Sequence, residues 1–103
     1  MPRRAARKDA NHNAIQAVFV RLGWSVADTS ALGNGFPDLV AAKHGRTVLV
    51  EVKDGTKPPS ARKLTPDETA FAGSWQGWYS VVTSEDDVLR LHNRLMVKEM
   101  GAA

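Results

Sequence analysis

The chain predicts an α/β fold, a central mixed sheet with helices packed against it, and three observations carry that expectation. Apolar residues recur at helical spacing near both ends of the chain, and a helix-start signal follows the central loop. Short runs rich in Val, Trp, Tyr and Thr lie between them, the composition of strands. Taken in order these segments read α-β-β-β-α-β-α.

The first helix is expected over about 9–22, where Ile15, Val18, Phe19 and Leu22 share one face and Gly23 ends it. Residues 24–29, WSVADT, make a first strand. The loop after it contains Gly33 and Gly35, which shape the entry into the next strand rather than cradle phosphate. Residues 36–43 and 46–53 flank His44-Gly45 and form an antiparallel pair about a tight turn. The segment DGTKPPSARK, with two prolines and a glycine, is expected to hold no regular structure. Thr65-Pro66-Asp67-Glu68 then starts a helix: Thr65 as N-cap, Pro66 in the first position, Glu68 in the third. That helix runs to about Trp75 and stops before Gly77. Residues 78–83 are the last strand, and Ser84-Glu85-Asp86-Asp87 caps a helix with Val88, Leu91, Leu95 and Met96 on one face. Trp75 and Trp78, at a helix-to-strand junction, are expected to close a core, with base stacking the less favoured alternative. His12, His44 and His92 are scattered, and each is expected at the surface or in a turn.

Within this frame the stretch GNGFPDLVAAKHGRTVLVEVKDG places charges on strands that should be half buried. If the turn is His44-Gly45, Lys43 pairs with Arg46, and counting outward sets Asp38 opposite Glu51. Directly opposed side chains have Cβ atoms roughly 4.5–5.5 Å apart, close enough for two carboxylates to repel. A four-residue loop gives the same register, whereas a three-residue loop would put the acids on opposite faces. Val48, Val50 and Val52 share the core face, and Leu49, Glu51 and Lys53 the other, with Lys53 about 7 Å along the strand from Glu51. A buried acid pair needs compensation. Either Lys53 or a divalent cation held by carboxylate oxygens could supply it, and hard ions such as Mg2+ or Mn2+ suit an all-oxygen site.

Composition bounds the rest. The 103 residues are 43% hydrophobic and 24% charged, ordinary for one folded domain. We read residues 1–8 as a basic tail and 9–103 as a single domain. No cysteine is present, which excludes disulfides and thiolate metal sites. No apolar run approaches the roughly 20 residues of a membrane span, and a cytoplasmic protein of a prokaryotic or phage-infected cell is expected. The net charge of +3 is unevenly spread. Arg3, Arg4, Arg7 and Lys8 crowd the start, and Lys57, Arg62 and Lys63 the central loop, clusters that suit either a polyanion such as DNA or plain solvation.

Pro37-Asp38 followed by Glu51-Val52-Lys53, in an α-β-β-β-α-β chain, resembles the PD-(D/E)XK nuclease superfamily with its restriction-endonuclease-like core. More narrowly, the stretch 33–55 followed by LTPDETAF is similar to the virus-type replication-repair nuclease (VRR-NUC) domain in its small stand-alone phage and bacterial form. The likeness runs from about Asp9 to Val88. It implies that Asp38, Glu51 and the backbone carbonyl of Val52 hold one or two Mg2+ or Mn2+ ions, and that Lys53 orients the attacking water or neutralises charge on the phosphorane. Many members add a carboxylate from the first helix; here Asp9 is the only acid near Asn11, His12 and Asn13. Relatives often carry Gln where Glu68 stands, so Glu68 is either a further catalytic residue or a capping-box acid.

The resemblance implies a metal-dependent DNA endonuclease, with a homodimer acting on branched DNA such as four-way junctions as the expected substrate case. The alternatives are a DNA-binding module of the same fold without catalysis and, more distantly, a small inhibitor or adaptor.

Overall fold

The computed structural model describes residues 8–101, the side chains of 98–101 excepted. Arg3, Arg4 and Arg7 of the basic tail lie outside the described residues. The elements are α1 (His12–Arg21), β1 (Ser25–Asp28), β2 (Leu39–Lys43), β3 (Arg46–Val52), α2 (Pro66–Ser74), β4 (Trp78–Val82) and α3 (Glu85–Gly101). The four strands form one sheet in the order β1-β2-β3-β4. The first two pairings are antiparallel and β3–β4 is parallel, α2 making the crossover that a parallel neighbour requires. The expected α/β class, mixed sheet and final helix are all present.

The β2–β3 turn takes the expected two-residue form. His44 and Gly45 have φ of 52° and 78°, and positive φ at both central residues gives the turn whose twist matches the strands it joins. The ladder therefore runs from Lys43↔Arg46 to Leu39↔Val50. One step further, Asp38 stands opposite Glu51.

The core lies on one face. Val48, Val50 and Val52 point to it from β3, Leu39 and Ala41 from β2, and Val82 from β4. Ile15, Val18 and Phe19 of α1 and Val88, Leu91 and Leu95 of α3 cover them. Trp24 joins the two helices to the sheet, meeting Phe19 edge-on and donating its Nε1 proton to His92 Nδ1 at 3.0 Å.

The opposite face is covered more sparsely. No residue of α2 is fully buried, yet its Phe71 meets Phe36 and Tyr79, with centroids 5.2 and 6.3 Å away. Leu49 and Glu51 are both buried, each 3% exposed.

Three expectations need correction. The central loop is not devoid of structure: residues Pro59–Arg62 form a 3-10 turn, because a proline in the first turn of a helix forfeits no hydrogen bond. His12 is no surface residue; it is 1% exposed, and its Nε2 lies 3.1 Å from Asp28 Oδ2. Trp75 and Trp78 do not close a core, being 43% and 37% exposed. Trp78, beside Val48 in the parallel register, and Trp75, stacked on Phe71, both stay outside the core cluster, which α1 and α3 complete.

Candidate active site

Asp38 is placed by its neighbours before its side chain does anything. The Thr29 N–H donates to the Asp38 carbonyl at 2.9 Å, and Thr29 Oγ1 donates to the Pro37 carbonyl at 2.7 Å. The loop leading in passes through three successive positive φ values, Gly33 at 67°, Asn34 at 58° and Gly35 at 83°. At Gly35 a Cβ would stand 2.6 Å from the Asp67 carbonyl carbon, so the loop packs directly on the start of α2. The Asp38 side chain is then fixed by the Val52 N–H, which donates to Oδ2 at 2.8 Å. In a strand the N–H and C=O of one residue point to the same side. The Val52 carbonyl accordingly faces Asp38, while Lys53 N turns the other way, to the Val82 carbonyl on β4 at 3.0 Å.

Glu51 occupies the adjoining position with less support. Its Oε2 lies 3.6 Å from Lys53 Nζ, and its Oε1 is buried without a hydrogen-bond partner. Lys53 Nζ donates to Glu68 Oε1 at 2.8 Å. That same oxygen accepts the Thr65 N–H at 2.9 Å, and Thr65 Oγ1 accepts the Glu68 N–H at 3.2 Å. One Glu68 carboxylate thus closes the capping box and also binds Lys53.

These side chains share a cleft of about 430 Å³, lined by Asp9, Asp38, Glu51, Lys53 and Glu68 together with the 33–36 loop. Burial pushes the Asp38 carboxyl above its usual range, outweighing the Val52 N–H that pulls it down. Burial pushes Glu51 further, to about 9, with the charges of Asp38 and Glu68 adding to it. Lys53 behaves oppositely: burial works against its charge, but the hydrogen bond and charge of Glu68 and the charge of Glu51 hold its pKa above the ordinary value. Burial likewise works against ionised Glu68, yet Lys53 and the Thr65 N–H bring it below its ordinary value.

The first-helix residues divide. Asp9 reaches the cleft wall and pairs with Lys57 at 3.8 Å. His12 binds Asp28, which follows the core-face register of Leu39 and Val50, away from the carboxylate pair. Hydrogen bonding by the Ser30 hydroxyl, with help from Lys8 and His12, holds Asp28 well below the usual carboxylate range. Of the predicted basic contacts, Lys57 stands at the cleft rim through Asp9, and Arg62 Nε donates to the Lys57 carbonyl at 2.8 Å. Lys63 is exposed, and Lys8 pairs with Asp28 at 2.9 Å.

Tyr79 escaped the sequence reading. The parallel register sets it beside Leu49 and sets Val81 beside Glu51, so it shares the face of the acids. Its hydroxyl is buried without a partner, and burial, then the charges of Glu51, Glu68 and Asp38, push it up to about 12. Nothing local in WYSVV signals this, because the register of a parallel strand is set by the crossover and not by a turn.

Among the described residues, no group of three or more His, Cys, Asp or Glu side chains converges as a ligand cage would. Among them, too, no helix is long and apolar enough to cross a membrane. The fold and the cleft define a class: an α/β domain with a mixed sheet and a cleft in which a buried and a half-buried carboxylate lie near a lysine. Comparison of the chain with known protein families, with curated proteins and with solved structures returns no match.

Proposed function

We propose that the protein is a metal-dependent DNA endonuclease of the PD-(D/E)XK type, hydrolysing phosphodiester bonds in the Asp38–Glu51–Lys53 cleft. The observation that carries this reading is the carboxylate pair, buried Glu51 and half-buried Asp38, opposed across the hairpin and shifted upward in pKa together. Two like charges so placed share a proton or a cation. The available donors are all oxygen: Asp38, Glu51 with its unpartnered Oε1, and the Val52 carbonyl. That set suits Mg2+ or Mn2+, which complete their shells with water and substrate phosphate and so need few protein ligands. When bound, such an ion polarises the phosphoryl group and makes hydroxide available at neutral pH.

The chain's own residues do the remaining work. The Val52 N–H orients Asp38, and Glu68 holds the Lys53 ammonium at the cleft, where it meets negative charge developing on the phosphate. Asp9 pairs with Lys57 and Glu68 with Lys53, so a cation held by Asp38 and Glu51 would add the positive charge that a phosphodiester meets in the cleft. Lys57, which pairs with the cleft-lining Asp9, and Arg62, bonded to the Lys57 carbonyl, would supply positive charge for DNA, with the exposed Lys63 close in sequence. Arg3, Arg4, Arg7 and Lys8 are the second basic cluster available to it. A homodimer would present two sites for symmetrical cutting of branched DNA, and a prokaryotic or phage-infected cytoplasm is the setting that fits.

The test is incubation of the full chain with labelled four-way, flapped and linear DNA, with and without Mg2+. Cleavage that requires Mg2+, is lost in Glu51→Gln and Asp38→Asn, and falls by roughly 100-fold or more in Lys53→Met is the expected result. If no DNA form is cut and Glu51→Gln binds DNA as the wild type does, the protein is a binding module.

A further inference from the structure

Glu68 and Phe71 of α2 and Trp75 at its C-cap follow one another at spacings of three and four residues. The series begins in the cleft, where Glu68 holds Lys53. Phe71 continues it, meeting the cleft-lining Phe36 edge-on at 5.2 Å. Trp75 ends it, stacked on Phe71 with centroids 5.6 Å apart and rings 16° from parallel. The indole is held from a second side by backbone, since a Cβ at Gly77 would stand 2.8 Å from its Nε1. It nevertheless remains 43% exposed and belongs to no part of the buried core cluster. A large aromatic side chain fixed in orientation, left open to solvent and joined ring by ring to an acidic cleft has more built into it than solvation requires.

We infer that Trp75 is a stacking platform for an unpaired nucleobase, and that the substrate class is DNA with unpaired bases beside the bond to be cut. This rests on the nuclease reading of the cleft. The spacing fits one strand: seven helical residues advance about 10 Å, roughly three stacked base steps at 3.4 Å. A phosphate held at Lys53 and a base lying on Trp75 therefore belong to nucleotides a few positions apart. A base inside a duplex already has neighbours on both faces and reaches the indole only by leaving the stack. An unpaired base at a flap or branch has lost a neighbour and does not. Because every base has a π face, stacking of this kind selects for strand structure and not for sequence.

The test measures binding in EDTA, so that it is independent of cleavage. Full-length wild type, Trp75→Ala and Trp75→Phe are titrated into labelled single-stranded DNA, the same strand in a blunt duplex, and a single strand with abasic sites. Melting curves accompany the titrations and establish that each variant is folded. Trp75→Ala is expected to bind the single strand about 5- to 100-fold more weakly, Trp75→Phe to recover most of the loss, and duplex affinity to stay unchanged. The abasic strand is expected to bind all three proteins alike. Single-strand affinity within twofold of wild type in folded Trp75→Ala, or equal losses for single strand and duplex, overturns the inference. Trp75-dependent binding without Mg2+-dependent cleavage would leave the platform standing and remove the nuclease reading. Metal-dependent cleavage indifferent to Trp75 would do the reverse, and no binding to any of the three DNAs together with no cleavage in Mg2+ removes both.

Discussion

Glu51 is where the physical chemistry of this molecule concentrates. A carboxyl whose folded pKa is about 9, against an ordinary 4.5, keeps its proton in the folded state after the unfolded chain has released it. The stability it contributes is therefore complete below about pH 4.5 and drains away as the pH rises toward 9. Asp38 is shifted in the same direction. In EDTA, melting temperature measured from pH 5 to 9 should decline more steeply in wild type than in Glu51→Gln, which cannot ionise; parallel curves would mean that the pair is not buried and coupled in solution. Tyr79 makes a second residue-scale case. Its buried hydroxyl lacks a partner, and a group in that position costs about 1–3 kcal/mol. Tyr79→Phe should melt at the wild-type temperature or above it, whereas a clear loss of stability would show that the hydroxyl is bonded after all. The acids were legible in the sequence because two-residue periodicity and one tight turn fix which side chains oppose each other. Tyr79 was not, since its place depends on a parallel register that no local signal sets.

Among the elements, those announced by capping and turn chemistry were readable to within a few residues. His44-Gly45 set the hairpin register, and Thr65-Pro66-Asp67-Glu68 set the start of α2, capping box included. What sequence periodicity misjudged were residues whose surroundings come from distant chain. His12 is buried by its approach to Asp28 on β1, sixteen residues away, and Trp75, stacked on Phe71, stays outside the core cluster, which α1 and α3 complete. The cap of α2 has a consequence beyond helix stability, because Glu68 Oε1 serves both Thr65 N and Lys53 Nζ. Thr65→Ala should cost about 1 kcal/mol in denaturant unfolding, with Thr65→Ser close to wild type. Equal stability of all three proteins would show that the cap contributes nothing and that Lys53 alone anchors Glu68.

At the scale of the whole molecule, the sheet separates two tasks. One face, under α1 and α3, holds the apolar core; the other, under α2, holds a cleft where carboxylates outnumber the single ammonium. A cation that binds only the folded state there should raise stability by mass action. Millimolar Mg2+ at pH 8 should raise the melting temperature of wild type and leave Glu51→Gln unmoved; the same shift in both would indicate a non-specific salt effect. The fold itself should survive removal of the site, since the valine face of β3 packs against α1 and α3. Substitution at the acids should accordingly separate activity from stability. The most direct measurement is single-turnover cleavage of a labelled four-way junction at pH 8 by wild type and Glu51→Gln, with Mg2+ and with EDTA. Cleavage by wild type in Mg2+ alone, with the three other combinations silent, is the predicted result. Cleavage that persists in EDTA or in Glu51→Gln would contradict the assignment of the carboxylate pair as the catalytic centre.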